Sequence, residues 1–380
     1  MPKISNSLPA TASLSKADAL TGPRLSVDLA ALRYNYNYLS DKIKPTICAA
    51  VVKADAYGLG MVKVAETLAA EGCKTFFVAW LEEGIELRQA LPDTEIIVLH
   101  GPAPGAMPVF AEYNLIPTFN HLGQLAEIAN YAAKIKTPLK AVGHVDSGLN
   151  RLGIPKAEVE KLAATPDLLS GIELRLWMSH LAIPALPNHP TNREQLKNFN
   201  YALSVLPKAP ASLAASSGSF LGQEYLFDMV RIGSSIYGMN PHPPKANPLK
   251  AVLYLEFPVL QIQEVPIGGT VGYGCTWTAE RPSKIATLGG GFADGYQRSL
   301  SNSGTVWIGQ HKVPVAGRVS MDLITIDITD LPPHLMQVGQ PVAILNEHYT
   351  VNHLAGEAKT RVTEILCYLG RKHKRRYING

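Results

Sequence analysis

Cysteine is scarce. Four residues in 380, Cys48, Cys73, Cys275 and Cys367, stand far apart with no C-x-x-C pair. That spacing excludes a zinc ribbon and supplies no disulfide framework for a chain of this length, so reduced, mostly buried thiols in a cytosolic protein are expected. No apolar run reaches the ~18 residues that a membrane-spanning helix needs. Charge is scarce too, at 17% of residues against an ordinary value of about 25%. The net charge of +4 is too small and too dispersed for a nucleic-acid surface. A basic cluster near the end, Arg371, Lys372, Lys374, Arg375 and Arg376, reads as a solvated terminal segment. Residues 1–22 lack the apolar stretch of a secretory signal and are expected to form a flexible extension. No P-loop and no H-E-x-x-H occurs, and scattered histidines give a metal site no support. The glycine-rich run from Gly289 to Gly295 fails as a dinucleotide fingerprint, because Asp294 stands where the last glycine is needed.

What is present is apolar sequence, 46% of the chain, enough for a large core. At about 100–200 residues per domain, with barrels reaching about 250, the length suggests two domains. Short apolar or β-branched runs at 46–54, 75–80, 95–100, 115–120, 139–146, 172–182, 211–218 and 229–237 alternate with stretches of helical spacing, as at 61–71, 82–90 and 122–135. Regular alternation predicts a parallel sheet, and eight units predict closure into a (β/α)8 TIM-type barrel. A doubly wound open sheet is the competing arrangement. An amphipathic stretch before the first strand, with Leu29, Leu32, Tyr36 and Leu39 on one face, is expected to pack as an extra helix. After Met239 the texture changes: Pro241, Pro243, Pro244 and Pro248 form a linker-like stretch, followed by short strand-like runs split by Gly and Pro. The fold class read from this pattern is α/β plus all-β, a barrel over 23–245 followed by a C-terminal β-strand domain over 246–380.

The segment from Ala50 to Gly60, AVVKADAYGLG, carries the most chemistry. Lys53 closes an apolar strand where barrel enzymes place catalytic groups. A partly desolvated lysine there has a lowered pKa and can form a Schiff base, whereas a plain surface lysine at a strand end is the bland alternative. Tyr57 and the glycines supply a hydroxyl and close backbone access for an anion. This segment closely resembles the cofactor-lysine motif of the alanine racemases, the fold-type III group of pyridoxal phosphate enzymes. The resemblance continues in order through HVDSGLNRLG (from His144), WMSH (from Trp177), MVRIGSSIYG (from Met229), GYGCTW (from Gly272) and GRVSMD (from Gly317), and is collinear from about residue 23 onward.

The resemblance implies a pyridoxal 5'-phosphate enzyme that racemises alanine by a two-base mechanism and supplies D-alanine for peptidoglycan. Lys53 resembles the lysine that binds the cofactor and serves as one base, and Tyr273 the second base, contributed by the partner subunit of a homodimer with shared active sites. Tyr57, Ser217 and the amides of Gly233 and Ser234 resemble the phosphate ligands. Arg231 resembles the arginine facing the pyridine nitrogen, His180 the histidine supporting it, Arg151 the residue near the substrate carboxylate, and Met321 a backbone contact to substrate. Taken singly, Arg231 also reads as a barrel-end ion-pair residue, His180 as a satisfied core histidine and Tyr273 as a loop filler. An arginine stays protonated at the ring nitrogen, which weakens the electron sink and disfavours transamination.

The family pattern also breaks. His144 stands where several members carry a carbamylated lysine, so Arg151 must be braced otherwise, by a bound anion or by His144. Phe292 replaces an entrance tyrosine, Arg298 matches the entrance arginine, and the loop after His180 lacks its usual acidic residue. The phosphate-binding tyrosine near the end does not align cleanly: Arg371 holds the ungapped position, with Tyr368 and Tyr377 nearby. Rival readings are a broad-spectrum racemase, a fold-type III decarboxylase, which Arg231 disfavours, and a non-catalytic pyridoxal-phosphate-binding protein, which the β-domain disfavours.

Overall fold

The computed structural model describes residues 22–243 and 245–380. The extension expected over 1–22 therefore falls, but for Gly22, outside the described residues, as do Pro244 of the proline-rich linker and the side chain of Arg371. Those described residues form two compact units, one of Leu25–Tyr254 with Leu345–Gly380 and the other of Leu255–Ile344 with 22–24.

In the first unit, eight parallel strands follow one another around a sheet in chain order: Ile47–Val51, Thr75–Val78, Glu95–Val98, Ile116–Phe119, Leu139–His144, Ile172–Met178, Ala211–Ser212 and Met229–Ile232. The last pairs with the first, Ile47 opposite Met229 and Ala50 opposite Ile232. Between the seventh and eighth strands the link is a bridge from Ala215 to Arg231, with Asp228 donating to the carbonyl of Ala211 at 3.0 Å. Strand order that never reverses, and a sheet that returns to its start, is a barrel and not a doubly wound sheet. Strands covered by helices outside and by one another inside have no wet face, and Thr75–Val78, Ile116–Phe119 and Met229–Ile232 are buried at every residue. Alternate residues fill the interior: Ala49 and Val51, Phe77, Ile97, Ile116, Val142, Leu176 and Met178, and Met229. Gly143 is required there, because a Cβ on it would stand 2.0 Å from the ring of the fully buried Trp177.

The helix Leu29–Lys42 buries Leu29, Leu32, Tyr36 and Leu39, the face its spacing predicts. Asp28 caps it, its Oδ1 accepting from the Ala31 amide at 2.9 Å.

The second unit is built on antiparallel strands. Leu253–Val265 pairs with Ser283–Leu288, which pairs in turn with Ile324–Asp327, and two short hairpins join Thr270–Val271 to Trp277–Thr278 and Thr305–Ile308 to His311–Pro314. Val265, Val271, Ala279, Ile285 and Ala316 form a small core beside them.

The end of the chain departs from expectation. Leu345–Gly380 packs with the barrel unit, not with the strand-rich unit to which the sequence pattern assigned it. It holds two helices, Val351–Glu357 and Val362–Lys372, and a strand, Arg375–Ile378, that runs parallel to Arg24–Asp28 with Leu25 opposite Arg375. The basic cluster is thus not simply a solvated tail. Arg375 is drawn inward because its fork has partners there: Nε donates to the carbonyl of Gly58 at 2.7 Å, and Nη2 to the carbonyl of Gly370 at 3.0 Å and to the Asp55 carboxylate.

Candidate active site

The first barrel strand ends at Val51, and three residues later the chain reverses its hand. Ala54, Asp55, Ala56 and Tyr57 all have φ between 52° and 57°, a left-handed turn. For residues with a Cβ this conformation costs roughly 1–2 kcal/mol each, so the surroundings must hold it. They do. The amide of Ala54 donates to Glu83 Oε1 at 2.6 Å, Asp55 Oδ1 accepts from the Met61 amide at 2.7 Å, and Tyr377 donates to the Leu59 carbonyl at 3.0 Å. Arg375 grips the turn through Asp55 and Gly58. Gly58 and Gly370 meet backbone to backbone, a Cβ on Gly370 falling 2.1 Å from the Gly58 carbonyl oxygen. The result presents Lys53 at the C-terminal mouth of the barrel.

A cavity of about 480 Å³ opens there. Lys53, Tyr57, Arg151, His180, Ser217, Arg231, Gly233 and Ser234 all line it, so the structure gathers eight of the residues singled out in the sequence. Tyr273 and Met321 lie in the other unit. Both are largely exposed, at 75% and 58%, and Tyr273 shares a depression of about 370 Å³ with Arg318, Ser320 and Leu323.

Burial lowers the Lys53 pKa, the Arg151 guanidinium lowers it further, and Glu83 opposes both. Arg231 is 5% exposed and spends its donors on one corner of the barrel. Nη1 donates to the carbonyl and hydroxyl of Ser212 at 2.9 and 2.5 Å, and Nη2 to the carbonyl of Ser179 and, at 3.5 Å, to Nδ1 of His180. Burial lowers Arg231 to about 10, which leaves it a cation at neutral pH. An arginine only donates, so His180 accepts on Nδ1 and carries its proton on Nε2. Tyr57 is pushed up to about 12 by burial, so it stays a neutral phenol, packed on Tyr237 with ring centres 4.9 Å apart.

The far wall can take a phosphate. Ser216, Ser217 and Ser234 bring hydroxyls and the 233–235 segment brings amides, with the Gly233 and Ser235 amides already donating to Ser216 Oγ at 3.2 Å. A Cβ on Gly233 would sit 2.6 Å from the Tyr57 hydroxyl, so only glycine leaves the gap between them open. Backbone amides and hydroxyls at the last two strand ends suit a phosphate group. The donor set therefore fits a phosphate-bearing aldehyde cofactor seated against Lys53. Among the described residues no cluster of His, Cys, Asp and Glu could hold a metal ion.

His144 is held by the barrel wall. Its Nδ1 meets Asn120 Oδ1 at 2.8 Å, and the Asn120 amide nitrogen donates to the Leu99 carbonyl at 3.1 Å and to Gln124 Oε1 at 3.2 Å. That orientation makes His144 the donor on Nδ1. Burial first, then neighbouring arginines, hold His144 to about 3, and burial and Arg231 do the same for His180. Both are neutral in the fold. Below about 6.5 the unfolded chain takes up protons that these two histidines refuse, so their contribution to stability is full above that pH and lost toward pH 3, at up to about 1.4 kcal/mol per pH unit for each. The thermal midpoint should fall on acidification from pH 6.5 to 4.5, and His144→Asn should flatten that slope.

Several residues at this site carried no sequence signal. Ser212, Ser216, Glu83 and Arg375 act through partners elsewhere along the chain, and only the barrel brings those partners close. Tyr237 lay within the quoted MVRIGSSIYG segment, yet its role, donating to the Val51 carbonyl at 2.9 Å, was not legible.

A barrel with a desolvated lysine, a buried arginine and a hydroxyl-and-amide cradle at its strand ends, followed by a strand-rich unit bearing an exposed tyrosine, defines a class of two-unit barrel enzymes. Residues 27–241 match the alanine racemase N-terminal domain and residues 252–377 the alanine racemase C-terminal domain. The chain belongs to the alanine racemase family, a family of isomerases. It is 43% identical over 354 residues to the alanine racemase of Rickettsia canadensis, covering 93% of this chain and 98% of that one. It is 40% identical over 376 residues to that of Brucella suis, covering 95% of each. Among solved structures, it is similar to alanine racemase from Bartonella henselae with covalently bound pyridoxal phosphate (TM-score 0.91, 38% identity, 94% of this chain and 99% of that one). It is also similar to the biosynthetic alanine racemase of Pseudomonas aeruginosa (TM-score 0.87, 32% identity, 94% and 99%).

Proposed function

We propose that this protein interconverts L- and D-alanine with pyridoxal 5'-phosphate held on Lys53. One observation carries the reading: a lysine with a lowered pKa, a buried arginine and a phosphate-sized cradle share a single cavity. When bound, the cofactor supplies the electron sink that makes the Cα proton of alanine removable. Tyr57, Ser217 and the amides of Gly233 and Ser234 hold its phosphate. Arg231, fixed by Ser212 and Ser179 and supported by His180, would face the ring nitrogen of the cofactor and keep its own proton, having a pKa of about 10. Arg151 receives the substrate carboxylate, and its charge beside Lys53 favours the neutral amine that can accept a proton.

Racemisation needs a proton removed on one face of Cα and one delivered on the other. Lys53 Nζ serves one face. Tyr273 Oη serves the other from the partner subunit of a homodimer, where Met321 also lends a backbone contact. The exposure of Tyr273 supports this, because an aromatic left open on a small unit is available to a second copy. Supply of D-alanine to peptidoglycan in the cytoplasm is the accompanying role; no helix among the described residues is long and apolar enough to cross a membrane.

In heavy water, L-alanine should acquire deuterium at Cα while the circular dichroism of the substrate decays to zero; no exchange would refute the activity. Tyr273→Phe should slow exchange from one enantiomer by about 10²-fold or more and spare the other. Mixing Lys53→Ala with Tyr273→Phe under subunit exchange should restore activity, and no recovery there would exclude shared sites.

A further inference from the structure

Glu83 lies in the first turn of the helix Leu81–Ala90, the helix after the second barrel strand, and no motif marks it. Its carboxylate accepts from three backbone amides. Oε2 takes those of Ala79 and Trp80, at 2.7 and 3.1 Å, just beyond the second strand, and Oε1 takes that of Ala54 at 2.6 Å. Ala54 is the residue immediately after Lys53 and the first of the left-handed turn. One side chain thus ties the lysine's own peptide unit to the end of the adjacent strand.

We propose that Glu83 is a positioning residue for Lys53: by pinning the Ala54 amide it sets the direction in which the lysine side chain leaves the backbone and enters the cavity. The turn has no intrinsic preference for its shape, since four consecutive residues with side chains occupy the left-handed region. Its far half is held by Asp55, Arg375 and Tyr377. Its near half, the half that aims Lys53, has Glu83. The carboxylate is also an anion beside the lysine, opposing the effects of burial and of Arg151, with Cys367 the other group acting in the same direction. Position and proton affinity of Lys53 are therefore coupled through one residue. Asp would keep the charge but fall one methylene short; Gln would keep the length but turn a donor toward an amide.

This rests on Lys53 holding the cofactor, and the test separates the two ideas. Full-length enzyme is purified with its cofactor, and two quantities are read: the pH midpoint of the bound cofactor's absorbance, and the rate at which hydroxylamine releases the cofactor. Wild type should show a lysine-linked absorbance that Lys53→Ala lacks; if Lys53→Ala retains it, the assignment of Lys53 fails. Given that assignment, Glu83→Gln should release cofactor about tenfold faster, as a misdirected linkage opens more readily, and should move the midpoint to lower pH. Glu83→Asp should also release faster but keep a midpoint close to wild type. A merely structural glutamate would lower thermal stability in both variants and move neither quantity. Unchanged release and midpoint overturn the proposal, and the Asp variant decides alone, by its release rate, if the Gln variant does not fold.

Discussion

Lys53→Ala should reduce racemisation by about 10⁴-fold or more while leaving the protein folded. The loss is large because a single amine does two jobs, holding the cofactor and moving a proton, and neither has a substitute among the cavity's other residues. Arg231, at about 10, keeps its proton at neutral pH, and His144 and His180 are too weakly basic to take one, at about 3 each. Stability should change the other way. The lysine's charge is disfavoured by burial and by Arg151, so its removal relieves a cost, and the thermal midpoint should stay level or rise. Lys53→Arg should be equally inactive. Racemisation rates from both enantiomers, with thermal unfolding alongside, check the pair of expectations; an inactive variant that is also unfolded would contradict the second.

Arg231→Ala should destabilise the barrel by about 3–5 kcal/mol, a large share of the margin of an ordinary fold. Arg231 is buried, and its donors satisfy the Ser212 carbonyl and hydroxyl and the Ser179 carbonyl together. Truncation leaves those acceptors dry and unpaired at the strand ends. Ser212→Ala, which removes only one hydroxyl, should cost about 1 kcal/mol. Urea unfolding of both variants measures the difference. A near-neutral Arg231→Ala would mean that water reaches this corner and that the arginine is a surface residue in practice.

Much of this was legible in sequence. Eight alternating units predicted the barrel, because helix and strand periods are local properties of the chain. The helix Leu29–Lys42 buries the face that its spacing predicted. Of the ten site residues that the resemblance named, eight line one cavity, seven of them within the six ordered segments and Ser217 outside them. Strand ends were less legible. The run 46–54 reads as one strand, yet the strand stops at Val51, because the left-handed turn that follows is held by Glu83, Asp55 and Arg375 and not by any preference of Ala54 or Ala56. The setting of Arg375 is illegible for the same reason. Arg375 looks like part of a solvated cationic tail until Asp55 and the Gly58 carbonyl supply its partners.

The apolar runs and their periods determined that this chain builds a barrel and a strand-rich unit, since both are settled by neighbours a few residues apart. Tertiary structure alone decided which lysine environment results. The groups that tune and aim Lys53, Glu83, Arg151 and the Arg375 clamp, lie tens to hundreds of residues away, and their effect depends on distances that no local pattern encodes.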